Sequence, residues 1–144
     1  MDSHESDLKL SNPSLEARSR HIRFSSTVAE TFTLRRQLSE SLVRAAEGFW
    51  KGRNMDIKSV QLPEKSADKP DSMIASLVAE GGTIWTTKFD SYKKTVTVNL
   101  FGDSDQTEVT VQLVLPGGLL SLHDREQAAA LIESFYESLE NWKA

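Results

Sequence analysis

Between residues 84 and 115, apolar and polar side chains alternate with a period of two, a pattern typical of strands that bury one face. Three runs show it, at 84–89, 95–101 and 109–115. The connections at 90–93 and 102–106 are short and rich in turn-forming residues, which favours antiparallel neighbours over parallel crossovers. The sequence therefore predicts a three-stranded antiparallel meander with one apolar face and one threonine-rich face.

An amphipathic helix is predicted on each side of this meander. The first begins at a capping box of Thr27 and Glu30, repeats apolar residues at three- and four-residue spacing, and ends near Gly52. The second begins at Ser121, and its apolar positions are expected to cover the apolar face of the meander. Those positions are Ala128, Leu131, Ile132, Phe135, Leu139 and Trp142.

The segment between the first helix and the meander has a less regular pattern. Residues 55–62 are interpreted as a short edge strand that Pro63 ends, and 63–71 as a charged internal loop. Residues 72–80 match a short helix as well as one arm of a hairpin, and the helix is the favoured interpretation.

A disordered tail is predicted over residues 1–24, because they hold too few large apolar side chains to offset the entropy of ordering. Residues 25–144 have enough hydrophobic content for one core and are predicted to form a single domain. The predicted fold class is α+β. It consists of a long N-terminal helix, a three- to four-stranded antiparallel meander and a C-terminal amphipathic helix packed on one sheet face.

Composition excludes several classes of function. The chain has no cysteine, which removes disulfides, thiolate nucleophiles and cysteine-based zinc sites together. Its formal net charge of -4 is opposite in sign to that of a non-specific nucleic-acid binder. No apolar stretch approaches the roughly 18 residues needed to span a bilayer. We therefore expect a cytoplasmic protein that uses neither a membrane nor, as its first role, nucleic acid.

The sequence contains no convincing catalytic, metal or cofactor motif. Outside the predicted tail the one histidine is His123, beside the carboxylate of Asp124, and adjacent residues at a helix start seldom face each other. Asp103 and Asp105 begin a calcium-loop pattern that breaks at Gln106. The two Gly-Gly pairs match no phosphate-loop fingerprint. We expect a protein that is not an enzyme and that needs no cofactor.

A protein-binding or assembly role is the favoured hypothesis, with a protein partner and with self-association into a homodimer or higher oligomer. The predicted first helix is longer than a small sheet needs as cover, so part of its apolar stripe is expected to face a partner. The outer face of the sheet is expected to add further apolar contacts. The candidate interaction residues are Leu34, Leu38, Leu42, Phe49, Trp50, Ile84, Phe101 and Val114.

Two alternatives stay open. A nucleic-acid-associated module would use the basic tail and first helix, through Arg18, Arg20, Arg23, Arg35 and Arg36. The order helix, three strands, helix also resembles double-stranded-RNA-binding domains, but the expected lysines are replaced at the second helix by residues 123–126, His-Asp-Arg-Glu. The other alternative is a small-ligand carrier, which a cavity between sheet and helices would favour.

Size, acidity and the closing sequence Leu139 to Trp142 are similar to those of small secretion-type chaperones. That class usually interrupts its sheet with a helix, whereas the pattern here predicts an uninterrupted meander. The similarity implies a chaperone-like or adaptor role at the level of the class, and it carries over to no individual residue.

Overall fold

The computed structural model describes residues 27–69, 71–86, 88–116 and 122–143. Five strands and two helices account for most of this part of the chain. In chain order they are β1 (Thr27–Leu34), α1 (Glu40–Lys51), β2 (Asp56–Lys65), β3 (Ser72–Gly81), β4 (Lys94–Asp103), β5 (Gln106–Val114) and α2 (Leu122–Asn141). One turn of 3-10 helix, Phe89–Ser91, lies between β3 and β4.

All five strands belong to one antiparallel sheet with the order β1-β5-β4-β3-β2. Strands β2 to β5 form a meander of neighbours, and β1 pairs with the free edge of β5, Thr27 opposite Val114 and Leu34 opposite Thr107. The chain passes from one edge strand to the other through α1. Helix α1 therefore has to cross the whole sheet before the meander begins.

The core lies between one face of the sheet and the two helices. Helix α1 packs over β2 and β3, helix α2 packs over β1, and the helices touch each other. Phe135 of α2 joins these layers, because its ring centroid lies 5.0 Å from that of Trp50 and 6.1 Å from that of Phe32. The sheet contributes fully buried residues at every second position, including Val28, Leu77, Val96, Val98, Val109, Val111 and Leu113.

The predicted α+β class is confirmed, but the long N-terminal helix is wrong in its first half. Residues 27–34 form β1, with alternating burial and a complete ladder to β5. The helix that does form begins after Ser39, whose hydroxyl accepts a hydrogen bond from the Leu42 amide at 3.2 Å. Thr27 and Glu30 are extended and lie opposite Val114 and Val111 of β5, so their spacing produces no helix cap. The predicted end at Gly52 is confirmed.

The number of strands also differs from the prediction, five where three or four were expected. Residues 72–81 form the interior strand β3 and no helix, because Ala75, Leu77 and Ala79 are buried at a spacing of two. Of residues 84–89, predicted as a strand, 84–86 and 88 lie in a loop where Ile84 is 52% and Trp85 87% exposed, and Phe89 begins the 3-10 turn. Their alternation has no sheet neighbour to pair with.

The edge strand predicted at 55–62 is confirmed as β2, and it continues through Pro63 to Lys65. An edge strand tolerates proline because one side of its backbone needs no ladder hydrogen bond. The pairing with β3 shifts register between Gln61 and Glu64, so the proline lies in an irregular stretch. The tail predicted over residues 1–24 lies outside the described residues.

Candidate functional site

The apolar residues predicted to meet a partner through the first helix lie inside the protein. Leu34, Leu42 and Trp50 are fully buried, Leu38 is buried, and Phe49 is half-buried against the core. Leu34 belongs to β1, and the shortened α1 is covered on its apolar side by the sheet and by α2. This stripe therefore offers no continuous surface to another chain.

The three predicted contacts on the outer sheet face do not form one patch. Ile84 lies in the loop between β3 and β4, whereas Phe101 and Val114 lie on strands and are partly exposed. Val114 pairs with Thr95 at one end of β4, and Phe101 lies six residues further along that strand, roughly 20 Å away at about 3.3 Å per residue. The Lys69 ammonium lies 5.6 Å from the centre of the Phe101 ring.

Of the basic residues considered for polyanion contact, Arg18, Arg20 and Arg23 lie outside the described part of the chain. Arg35 is exposed. The guanidinium of Arg36 donates to the carbonyl oxygens of Glu140 and Trp142 at the C-terminus of α2. It also lies 5.4 Å from the centre of the Trp142 ring. Arg36 thus fastens the last turn of α2, where a positive charge suits the helix dipole.

A half-open cleft of about 380 Å³ lies at the end of the sheet where β3 ends and β4 begins. Its walls come from three places: the turn between α1 and β2, the chain on either side of the β3–β4 loop, and one side chain of α2. The lining residues are Gly52, Arg53, Asn54, Met55, Gly81, Gly82, Asp90, Ser91, Lys94 and Leu131.

Two adjacent glycines let the backbone segments around the cleft approach each other. A Cβ on Gly81 would lie 2.8 Å from the Asn54 carbonyl oxygen, and a Cβ on Gly82 would lie 2.4 Å from that of Tyr92. Gly82 also has a φ of +90°, a conformation that side chains disfavour. At Gly81 and Gly82 the wall of the cleft therefore consists of backbone atoms, and the polar side chains of the lining come from neighbouring residues.

Lys94 is the buried cation of the cleft, with 4% of its surface exposed. Its ammonium donates to the carbonyl oxygens of Phe89 at 2.7 Å and Tyr92 at 2.8 Å, and lies 3.5 Å from that of Asp90. Burial lowers the pKa of Lys94 below its ordinary value, and the Asp90 carboxylate opposes that change in pKa only in part. The side chain holds the 3-10 turn against the start of β4.

Arg53 is the exposed cation of the cleft. Its guanidinium stacks over the Phe49 ring at 5.0 Å from the centroid. The described residues place no carboxylate within ion-pair distance of it and no hydrogen-bond acceptor on it. With Arg53, Lys94 and Asp90, the lining holds two cations and one anion, so it is net positive in a chain whose formal charge is -4.

A second, shallower depression of about 270 Å³ lies on the outer face of the sheet. Polar groups of β2 to β5 line it, among them Gln61, Ser76, Asn99 and Thr110, and its one charged lining residue is Glu108. The Ser76 hydroxyl lies 3.5 Å from the Gln61 side-chain oxygen. Because its polar walls belong to one sheet face, this depression has no second layer to enclose a ligand.

The residues of the weak motifs in the sequence, His123, Asp103 and Asp105, do not line the cleft. Within the described ranges, no cluster of three histidine, aspartate or glutamate residues could hold a metal ion. His123 lies on the exposed side of α2, 2.7 Å from the Gln127 amide nitrogen. Asp103 and Asp105 flank Ser104 in the turn between β4 and β5. In the same part of the chain, no helix is long and apolar enough to cross a membrane.

Sequence reasoning missed Arg53, Lys94 and Leu131 as neighbours. The sequence identified Gly81-Gly82 as a turn. Because residues 84–89 were assigned to a strand, no cleft was expected beside the β3–β4 loop. The lysine pair at 93–94 beside this turn was the available signal.

No protein-family model matches the chain, and no curated protein matches it significantly in sequence. Two solved structures share loose backbone similarity with it. The crystal structure of Ara h 8.0201 has a TM-score of 0.43 and 11% identity, over 79% of this chain and 94% of that chain. A START superfamily protein from Mycobacterium smegmatis has a TM-score of 0.37 and 12% identity, over the same shares of the two chains.

Proposed function

We propose that this protein binds a small molecule in the cleft and acts as a carrier or receptor without catalysing a reaction. The observation that supports the proposal is the cleft itself, which opens between α2 and the end of the sheet. Its volume of about 380 Å³ lies within the range of roughly 300–1,000 Å³ that is typical of ligand sites. Small-molecule sites combine apolar walls with a few placed polar groups.

The lining has that combination. Met55 and Leu131 supply apolar surface from opposite layers of the fold, the first from the turn before β2 and the second from α2. Asn54 and Ser91 add neutral polar groups, and backbone atoms at the glycines are open to the cleft. A ligand seated here would touch both helix and sheet layers, so binding should stabilise the packing of α2.

The assembly hypothesis loses its main support, because the five residues chosen from the predicted first helix are buried in the core or packed against it. What remains of it is Ile84, Phe101 and Val114, which are exposed or partly exposed but do not form one patch. Scattered apolar side chains are ordinary on a protein surface and do not by themselves mark an interface. Ligand binding therefore accounts for more of the observed geometry than assembly does.

Filling the cleft tests this proposal. In Leu131→Trp a larger side chain on α2 would occupy ligand space, whereas Ala130→Trp adds the same ring at the neighbouring, exposed position. The probe is phenylnaphthylamine, an uncharged dye that fluoresces in apolar sites. We expect saturable binding of one dye per chain, at least about tenfold weaker in Leu131→Trp and unchanged in Ala130→Trp.

Circular dichroism and the melting temperature would check that both variants are folded. Absence of saturable binding by the unmodified chain, or equal affinity in all three proteins, would overturn the proposal. A melting temperature of the unmodified chain that rises with dye concentration would support it further, because a ligand that binds the folded state stabilises that state.

A further inference from the structure

We infer that the ligand of this cleft is an amphiphilic organic anion, a carboxylate or sulfonate with an apolar body, and that Arg53 binds its anionic group. The inference rests on the proposed function and specifies its ligand class. It starts from the contacts of Arg53, whose guanidinium lies over a ring but has no hydrogen-bond acceptor among the described residues.

Two other arginines, Arg36 and Arg44, make polar contacts within the protein. Arg36 donates to the carbonyls that end α2, and Arg44 lies 3.0 Å from the Glu47 carboxylate and 3.8 Å from that of Glu40. Arg53 has only the face of the Phe49 ring, 5.0 Å away, within the described part of the chain. Stacking restrains the guanidinium plane and leaves its in-plane N–H groups directed away from the ring.

A restrained guanidinium with open N–H groups suits an anion that presents two oxygens side by side, as a carboxylate or a sulfonate does. Arginine binds carboxylates through two parallel hydrogen bonds, and less conformational entropy is lost when the side chain is already held. Arg53 also lies in the turn from α1 to β2. Its backbone amide donates a hydrogen bond of 3.0 Å to the Trp50 carbonyl oxygen, which holds the turn in place. The group is therefore positioned on the wall of the cleft before any ligand arrives.

Lys94 contributes in a different way. Its ammonium already donates to backbone carbonyls, so it is not available as the direct ligand contact. Its charge is nevertheless buried beside the cleft, where water screens it less than at the surface. The same burial lowers the pKa of Lys94, and a bound anion would oppose that change by favouring the charged form.

The remaining lining explains why the ligand should be amphiphilic. Asp90 belongs to the 3-10 turn and repels a second negative charge, so a single anionic group near Arg53 is better tolerated than a polyanion. Met55 is buried and Leu131 half-buried, and both present apolar surface to the cleft. A molecule with one charged end and an apolar body satisfies both parts of the site.

Two dyes with the same ring skeleton separate charge recognition from apolar binding. Anilinonaphthalene sulfonate carries one sulfonate, and phenylnaphthylamine carries none. In Arg53→Gln we expect the sulfonate dye to bind roughly tenfold more weakly, while the affinity of the uncharged dye changes by less than about twofold. Arg44→Gln, which removes an equal charge from an exposed position outside the cleft lining, should leave both affinities unchanged.

Competition gives an independent readout on the unmodified chain. Octanoate should displace the sulfonate dye at a lower concentration than octanol does. Added salt should bring the two displacing concentrations closer together, because it screens the attraction between the carboxylate and Arg53. If octanoate and octanol displaced the sulfonate dye at the same concentration, the inference would be overturned. Unchanged affinities of Arg53→Gln for both dyes would also overturn it, because Arg53 would then contribute nothing to binding. An equal loss of affinity for both dyes would overturn it as well, because Arg53 would then support the shape of the cleft without recognising the anionic group.

The experiments distinguish failure of the proposed function from failure of the inferred ligand class. If the unmodified chain binds both dyes saturably and Leu131→Trp abolishes both, but Arg53→Gln changes neither, the proposed function stands and the assigned ligand class falls. If the unmodified chain binds neither dye, the proposed function falls and the ligand class falls with it. Melting temperatures of the variants would confirm that a loss of binding is not a loss of fold.

Discussion

Lys94 is the first residue of β4, on the same side of the sheet as the helices, and backbone carbonyls take the place of water around its ammonium. Carbonyl dipoles compensate a buried charge less completely than bulk water does, which is why burial outweighs Asp90 and lowers the pKa of Lys94. A buried cation retained at the wall of a cleft is consistent with a preference for anionic ligands. The altered pKa of Lys94 also makes the stability of the fold depend on pH.

The direction of that dependence follows from proton binding. Below 10.5, the ordinary pKa of lysine, the unfolded chain keeps the Lys94 proton at pH values where the folded chain has begun to release it. The free energy of unfolding therefore rises with pH between the lowered folded pKa and 10.5, and this contribution is lost as pH falls through the folded pKa. Lys94→Met should remove that rise.

Urea unfolding at a series of pH values up to 10.5 would measure the slopes for the unmodified chain and for Lys94→Met. Other titrating groups contribute to both slopes, so their difference isolates Lys94. Identical slopes would contradict the lowered pKa of Lys94.

Phe135 is the residue on which the aromatic part of the core converges. It is fully buried, and its ring lies 5.2 Å from that of Phe49 as well as against Trp50 and Phe32. Phe135→Ala should lower the free energy of unfolding by about 3–5 kcal/mol, through lost transfer energy and the cavity left behind. Chemical denaturation measures this, with the exposed Glu137→Ala on the same helix as the control. A Phe135 variant as stable as that control would remove Phe135 from the core.

At the scale of elements, the parts predicted correctly are those whose pattern had a single interpretation. Strands β4 and β5 alternate cleanly over nine or ten residues, and α2 keeps a helical period over twenty. Strand β3 was misread because Ile74, Leu77 and Val78 have helical spacing by coincidence. Strand β3 also carries Ile74 and Val78 on the face opposite its buried residues, so the alternation that identifies a half-buried strand is incomplete.

Strand β1 was misread for a different reason. Val28 and Phe32 are four residues apart, which matches a helix, and the partner that makes them a strand lies far along the chain, where Thr27 pairs with Val114. A window of neighbouring residues contains no information about such a pairing, and tertiary context overrides local propensity. Residues 84–86 show the converse, because they belong to an alternating sequence pattern but lie in a loop.

The true start of α1 can be tested by comparing two hydroxyls. Ser39→Ala should cost about 0.5–2 kcal/mol of stability, because the Leu42 amide loses its acceptor. Thr27→Val keeps the β-branched shape that suits β1 and removes only the hydroxyl, so we expect a change within about 0.5 kcal/mol. Chemical denaturation of both variants would measure the two changes in the free energy of unfolding. A larger loss for Thr27→Val than for Ser39→Ala would favour the helix start that the sequence had suggested.

At the scale of the whole molecule, the cleft could not be predicted from sequence because its charged residues come from distant segments. Arg53 lies between α1 and β2, and Lys94 begins β4. They line the same cleft because β3, between them, pairs with both β2 and β4, and β3 was one of the segments with the wrong secondary structure. The core residues of β4, β5 and α2 were easier to recognise, because the period of each element predicts which of its faces is buried.

Self-association stays a prediction, but the fold changes what its test should show. The proposed interface residues Leu34 and Leu42 are fully buried, the first in β1 and the second in α1. Leu34→Glu combined with Leu42→Glu would place two carboxylates in the core without partners. We therefore expect this variant to lose its fold, where an interface position would have yielded folded monomers.

Far-ultraviolet circular dichroism together with sedimentation distinguishes these outcomes, because only the first reports secondary structure and only the second reports mass. A matched variant, Arg35→Glu with Glu40→Gln, changes exposed positions close by and should remain folded. A folded, dissociated double-glutamate variant would show that the two leucines face another chain. If the unmodified protein sediments as an oligomer while the double-glutamate variant is unfolded, association uses a surface other than this stripe, since residues that hold the core together cannot also be shared with a partner.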